Sequence, residues 1–334
     1  MHRRAALVAL ATLAALPCLS MTTRARAALA QPRGRVKSLT RDALGTTLVL
    51  GLPDAPFAGV GYGDDTVVVF VPAHYRFRAG ASGGGEDGVS ALVHFHGHNS
   101  TAERAIAAHA LREQLVDSRQ NAILVVPQLA VLAADSSCGR LESPGGLARL
   151  LGEALSTTSR EGRATLDDSA FPEHARLGRL CLSAHSGGYH AAARCLRDGG
   201  VDVRETYLFD ALYAESDTFR DWVIARRGDP PASRHKLVSY FTVGAPTESL
   251  NRALRAELEH AGVLVAEEMQ EGELSRGELS HAGAVFVRTG LAHSQVTWET
   301  NALRDVLYAS TLPRHLPATW FANRTGARPI DRRR

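Results

Sequence analysis

Residues 182–188, which read LSAHSGG, decide the fold of this chain. An apolar run from Leu180 to Ala184 leads to Ser186, two glycines follow, and the small-residue run 191–193 comes next. This order predicts a strand, a tight turn and a helix, with a single hydroxyl at the apex of the turn. A serine at such an apex projects above the edge of a sheet, beside the first N–H groups of the following helix. We therefore interpret Ser186 as a candidate nucleophile.

Apolar runs alternate with helical patterns along the rest of the chain, and this predicts a mainly parallel central sheet flanked by helices on both faces. The predicted strands are 46–50, 66–71, 91–95, 122–126, 180–184, 206–209, 237–243 and 284–287. The predicted helices are 101–115, with a capping box that starts at Ser100, and 146–156, 188–196, 216–225, 250–260 and 298–309. Active sites in such sheets lie at the carboxyl ends of the strands.

The pentapeptide 184–188 resembles the nucleophile elbow of the α/β-hydrolase superfamily, normally G-x-S-x-G, with Ala184 in place of the first glycine. The resemblance covers roughly residues 40–311. It implies the α/β-hydrolase fold and a secreted serine esterase or lipase that cleaves a small-molecule or polymer ester. An amidase or peptidase with the same triad, and a non-catalytic binding protein on the same fold, stay open as alternatives. A glycine-rich turn that carries an incidental serine is the structural alternative for the motif itself.

Acyl transfer needs hydrogen-bond donors aimed at the oxyanion that develops on the substrate carbonyl. The N–H of Gly187, the residue after the serine, is one predicted donor. The sequence His96-Gly97-His98 follows the strand 91–95 and resembles the H-G-x motif of lipases and esterases. The resemblance implies that Gly97 forms a sharp turn and that His98 supplies the second N–H.

The same stretch also permits a metal site, because His94, His96 and His98 alternate and alternate residues of a strand share a face. Further ligands in a recognisable pattern are missing from the sequence, so we predict no metal and no cofactor. His94 then reads as a buried strand residue with a hydrogen-bond partner.

The family order of serine, acid and histidine leaves two candidate acids in this chain. Asp210 directly follows the strand 206–209, and Glu248 follows the strand 237–243; we favour Asp210 because Glu248 also suits the first turn of a helix. The candidate base is His293, in the loop between the last strand and the last helix. Residues expected to line the pocket are His96, His185, Tyr189 and Tyr213, and the long span 135–177 could roof it.

The N-terminus has the pattern of a secretory signal: two arginines, an apolar run over 5–16 and an A-x-A site that ends at Ala27. We predict a signal peptide over 1–27, a hydrolase domain over 40–311 and a C-terminal tail over 312–334, and hence export to the periplasm or the medium. Cleavage after Ala27 would remove four arginines and change the formal net charge from +3 to −1. A near-neutral mature chain argues against nucleic acid as a partner, and the apolar run is too short for a stable membrane span. Cys181 and Cys195 are expected to be buried free thiols, and Cys138 lies in a stretch of polar sequence with no assigned partner.

Overall fold

Ten strands form one open sheet in the computed structural model, which describes residues 34–59, 63–77, 88–162 and 175–316. The strand order is β1-β2-β3-β5-β4-β6-β7-β8-β10-β9. The bounds are β1 Arg35–Asp42, β2 Gly45–Gly51, β3 Thr66–Pro72, β4 Val89–Phe95, β5 Ile123–Pro127, β6 Leu177–His185, β7 Glu205–Phe209, β8 Lys236–Thr242, β9 Val265–Glu268 and β10 Ala284–Thr289.

Seven of these strands, from β5 across the sheet to β9, run parallel, and β1, β2 and β3 add an antiparallel edge. In the centre, Ala184 of β6 pairs with Phe95 of β4 on one side and with Leu208 of β7 on the other. Parallel register places the carboxyl ends of these three strands at the same edge of the sheet. The predicted class, a mainly parallel sheet flanked by helices on both faces, is confirmed.

Helices cover both faces of the sheet. Their bounds are α1 Ala102–Ala108, α2 Leu111–Asp117, α3 Gly146–Gly162, α4 Tyr189–Asp198, α5 Ser216–Ala225, α6 Thr247–His260, α7 Arg276–His281 and α8 Ala302–Tyr308. Successive strand residues point to opposite faces, and neighbours in β6 accordingly enter different apolar cores. Leu182 packs into a core with α3, α4, α5 and α6, whereas Cys181 packs into a core with α1, α2, α7 and α8. The sheet is therefore buried on both faces.

Several predicted helix boundaries are wrong. Helix α3 runs on to Gly162, past its predicted end at 156, and α6 begins at Thr247, before its predicted start at 250. The helix expected over 101–115 is two helices, because Ala110 adopts a left-handed φ of 47° that ends the first and caps the second. Thr101, and not Ser100, caps the first of them by accepting from the N–H of Arg104. The last helix begins at Ala302 rather than at Trp298, because Asn301 takes a left-handed φ of 61°.

Three elements have no predicted counterpart. Strand β1 is a mostly exposed edge strand that begins five residues before the predicted domain start at residue 40. Strand β9 has only four residues, and α7 is a short helix with a capping box at Ser275. Each of them buries too few apolar side chains to leave a clear periodicity in the sequence.

The predicted signal peptide at 1–27 lies outside the described residues, as does the tail beyond residue 316. No helix in the described part of the chain is both long and apolar enough to cross a membrane. Cys181 and Cys195 are buried free thiols, as predicted. Cys138 is also a free thiol and is fully buried despite its polar sequence surroundings.

Candidate active site

Ser186 lies at a sharp turn between β6 and α4. Strand β6 ends at His185, the next three residues form a short 3₁₀ turn, and α4 begins at Tyr189. Ser186 has a φ of 53°, in the left-handed region that costs a non-glycine residue roughly 1–3 kcal/mol. The rest of the fold must stabilise this conformation, and such strain is typical of functional sites.

The turn after β6 packs directly against the turn after β4, and the glycines at this contact leave no space for a β-carbon. A β-carbon on Gly188 would collide with the carbonyl oxygen of Phe95, and one on Gly97 would lie 2.6 Å from the β-carbon of Ser186. Ala184 is fully buried between β4 and β7, so a small side chain is accepted where the family motif has its first glycine. Two glycines thus let the serine turn and the Gly97 turn touch.

The two predicted oxyanion donors belong to these touching turns. A β-carbon on Gly187 would lie 3.5 Å from the backbone nitrogen of His98, so the two residues are neighbours across the gap between β4 and β6. The same β-carbon would lie 2.9 Å from Oγ of Ser136, which comes from the span that was expected to roof the site. Residues 163–174 of that span lie outside the described residues.

Asp210 directly follows β7 and binds the ring of His293. Its Oδ2 lies 2.7 Å from Nδ1 of His293. The hydroxyl of Thr247 and, at 3.4 Å, the backbone N–H of Thr242 both donate to Oδ1. Burial acts to raise the pKa of Asp210, but the hydrogen bonds from His293 and Thr247 outweigh it and hold the pKa below its usual value. Asp210 is therefore an ionised carboxylate that orients one nitrogen of the imidazole.

Glu248, the competing acid, has other contacts. It lies in the first turn of α6, accepts a hydrogen bond of 2.7 Å from the N–H of Gly244, and forms an ion pair of 2.7 Å with Arg252. These contacts hold the pKa of Glu248 below its usual value. The geometry favours Asp210 over Glu248 as the acid beside His293.

His293 lies in the loop between β10 and α8 and is partly exposed, with 41 % of its side chain accessible. The ring of Tyr213 lies 6.3 Å from the ring of His293, and its hydroxyl is close enough to Ser186 for the serine to lower the pKa of Tyr213 against the larger, raising effect of burial. Tyr213 thus contacts the candidate nucleophile and lies close to the candidate base. The ring of Tyr189 lies 6.1 Å from that of Tyr213, so these two predicted pocket residues are neighbours.

Behind His293, three more histidines lead into the core; we call these four residues the histidine row. Nε2 of His185 donates to the carbonyl oxygen of His293 at 2.9 Å, and the ring centres of His185 and His109 are 4.6 Å apart. Nδ1 of His109 lies 3.4 Å from Nε2 of His94, whose Nδ1 is hydrogen-bonded to Ser183 at 2.8 Å. The row therefore joins the candidate base to the middle of the sheet.

Burial keeps the inner histidines neutral. Burial lowers the pKa of His185 to about 4 and that of His109 to about 3, and His94 is shifted in the same direction. A neutral His185 therefore places no positive charge beside the ring of His293. Sequence reasoning missed His109, because only the tertiary structure brings its helix next to β4 and β6.

The structure also shows what the alternating histidines at the end of β4 and just after it contact. His94 is a buried strand residue with hydrogen-bond partners, as predicted. His96 was expected to line the pocket, but its ring nitrogens bond to the carbonyl oxygen of Gly97 and to the N–H of Leu129, each at 2.9 Å. His96 therefore holds the Gly97 turn in place, whereas His98 is exposed.

A scan against protein-family models gives no match, and no curated protein matches the sequence. Among solved structures, the chain is similar to an S-formylglutathione hydrolase from Agrobacterium tumefaciens, with 10% identity, a TM-score of 0.45, and 87% of this chain and 100% of that chain covered. It is also similar to carboxyl esterase 2 from the mycorrhizal fungus Tuber melanosporum, with 10% identity, a TM-score of 0.43, and 87% and 90% covered. A thermostable esterase from Pseudomonas putida matches with 14% identity, a TM-score of 0.37, and 83% and 79% covered.

Proposed function

We propose that this protein is an exported serine hydrolase that cleaves a carboxylic ester, with Ser186 as nucleophile, His293 as general base and Asp210 as the acid of the triad. The observation that carries the proposal is the 2.7 Å contact between Asp210 and Nδ1 of His293, at the same sheet edge as the strained Ser186 turn. Export rests on the pattern of residues 1–27.

Each residue has a distinct task in this mechanism. Asp210 accepts a hydrogen bond from the Nδ1–H of His293 and so fixes the tautomer in which Nε2 is free to take the proton of Ser186. Ser186 then attacks the ester carbonyl, and the N–H groups of Gly187 and His98 stabilise the oxyanion. His293 returns the proton to the leaving alcohol, and a water molecule that it activates hydrolyses the acyl-enzyme.

The nucleophile is tested with Ser186→Ala, which removes one hydroxyl and leaves the turn without a clash. We expect the variant to fold, to lose labelling by a fluorophosphonate probe and to lose turnover of p-nitrophenyl esters, since the acyl-enzyme of the proposed mechanism forms on the hydroxyl of Ser186. Ser38→Ala, on the exposed face of β1, is the matched control and is expected to retain both. An unchanged rate in Ser186→Ala would refute the proposal, and a wild-type chain that is neither labelled nor active would favour a binding protein.

Esterase and amidase activity are distinguished by comparing p-nitrophenyl esters with the matching anilides, because the same triad can catalyse both reactions. We expect kcat/KM to be clearly higher for the ester of each pair. Preferential cleavage of the anilides would instead assign the protein to the amidases or peptidases.

The acid is tested with Asp210→Asn against Glu248→Gln. We expect kcat to fall on the order of 10³–10⁴-fold in Asp210→Asn, because the amide no longer selects the productive tautomer of His293. Glu248→Gln is expected to stay within about twofold of wild type, because Glu248 contacts Arg252 and Gly244 rather than the imidazole. The reverse ranking of the two variants would transfer the role of acid to Glu248.

A further inference from the structure

A second cluster of reactive side chains lies beside the serine turn and has no task in the proposed reaction. Cys138, Glu142 and His190 each offer one ligand atom, and these atoms all lie within 4.8 Å of one another. Cys138 immediately precedes a 3₁₀ turn over Gly139–Glu142, and His190 lies in the first turn of α4. The cluster thus joins the turn at 139–142 to the helix that follows Ser186.

His190 is oriented as metal-binding histidines are. Its Nδ1 is hydrogen-bonded to Oε1 of Glu215 at 3.0 Å, which leaves Nε2 to face the cluster. A carboxylate that accepts from the far nitrogen of the ring fixes the tautomer and raises the basicity of the other nitrogen, as in carboxylate–histidine–zinc sites. The second oxygen of Glu215 is buried and has no hydrogen-bond partner.

The spacing suits ligands around one ion better than a direct hydrogen bond. Nε2 of His190 lies 3.8 Å from Oε1 of Glu142, which is too long for a hydrogen bond. Two such ligands on a tetrahedral Zn²⁺ are about 3.4 Å apart, given bonds of about 2.0–2.2 Å. Shifts of a few tenths of an ångström would therefore bring both atoms into coordination.

Cys138 and Glu142 are already held in place by their surroundings. The N–H of Cys138 donates to Oε1 of Glu142 at 2.8 Å, and the thiol of Cys138 is fully buried. Gly139 needs its left-handed φ of 58°, and its backbone packs against Pro56, so the turn cannot easily move away. Burial raises the pKa of the Cys138 thiol, so its thiolate forms only when a cation replaces the proton. The thiolate and the carboxylates of Glu142 and Glu215 then carry three negative charges, and Arg194 is a nearby positive charge. A divalent cation would balance the remainder.

We propose that Cys138, Glu142 and His190 bind one divalent transition-metal ion, most suitably Zn²⁺, with Glu215 orienting His190 from behind. A thiolate with an imidazole favours Zn²⁺ over Mg²⁺ or Ca²⁺, which prefer oxygen ligands. Cys138 releases its thiol proton to solvent on binding, and a water molecule completes four-fold coordination. The ion would be structural, because it ties the 139–142 turn to α4. This inference is independent of the proposed esterase activity.

The experiment is a titration of the metal-free, tag-free protein with Co²⁺ and then with Zn²⁺. We expect one equivalent of Co²⁺ to bind and to give the absorption band of thiolate-to-cobalt charge transfer, which Zn²⁺ then removes by displacement. At a hundredfold excess over Kd, Zn²⁺ is expected to raise Tm by about 5 °C.

Two variants and two controls make the test specific. Cys138→Ser is expected to abolish the charge-transfer band, and Glu142→Gln, at a partly exposed position that tolerates the change, to weaken binding at least tenfold. Cys195→Ser removes another buried thiol that is not among the three ligands and is expected to keep the band. Ser186→Ala should bind the ion as wild type does, whatever its activity.

The absence of a charge-transfer band in the wild-type protein would overturn the proposal. So would a band or a Zn²⁺-induced rise in Tm that persists in both Cys138→Ser and Glu142→Gln, because the ion would then bind elsewhere.

Discussion

Gly97→Ala would place one methyl group between the two turns of the candidate site. The new β-carbon would lie 2.6 Å from the β-carbon of Ser186 and 3.2 Å from its Oγ. Carbon atoms in contact settle about 3.5–4.0 Å apart, so the gap between the turns has to open by about 1 Å. Residues 91–95 of β4 and 180–184 of β6 are paired in register and buried, so the shift falls on the turns that follow them.

This displacement is expected to impair catalysis more than folding. A misplacement of about 1 Å costs on the order of 100-fold in rate, which corresponds to about 2.7 kcal/mol of transition-state stabilisation. Both the nucleophile and the proposed donor at His98 move, because Gly97 touches Ser186 and directly precedes His98 in the chain. Overpacking at one methyl group costs about 1–3 kcal/mol of stability, which a domain of this size can tolerate.

The assay compares kcat/KM for a p-nitrophenyl ester in the wild type and the variant, with circular dichroism and Tm measured on the same samples. Gly152→Ala is the matched control, because its β-carbon meets nothing within 4 Å and it lies inside helix α3. The control is expected to keep full activity and to gain up to about 1 kcal/mol of stability. Wild-type kcat/KM in Gly97→Ala would refute the proposed packing of the two turns and the role of His98.

The stability of the protein should also fall in mild acid, because His185 and His109 have pKa values of about 4 and about 3 in the folded protein against the usual 6.5. The unfolded chain takes up protons on these rings below about pH 6.5 and the folded chain does not, so the free energy of unfolding decreases as the pH falls towards 4. In urea unfolding between pH 6.5 and 4.5, His109→Gln should lose about 2–3 kcal/mol less than wild type, and parallel pH curves would contradict the assigned burial effect. At the opposite end of the strands, Glu205→Ala should cost about 3–5 kcal/mol, because it leaves the buried ammonium of Lys236, 3.7 Å away, without its counter-charge; a loss below about 1 kcal/mol in urea unfolding would count against this pair.

The strands of the sheet were largely predictable because buried parallel strands are continuous apolar runs. The helix over 216–225 was predicted at its observed bounds, and β6 and α4 flank Ser186 as the pattern around it indicated. Elements with little apolar surface, such as β1, were missed. The break at Ala110 was also missed, because alanine favours a helix, whereas Ala110 adopts a left-handed φ between α1 and α2.

The sequence by itself determined the strand–turn–helix around Ser186, and it placed Asp210, Glu248 and His293 after the ends of strands. These are local properties, since apolar runs and turn residues act over a few neighbours along the chain. Only the tertiary structure decided which carboxylate contacts His293, that His109 joins the histidine row, and that Cys138 meets His190. Such contacts join residues far apart in the chain, and they depend on sheet register and on side-chain packing, which no short stretch of sequence contains.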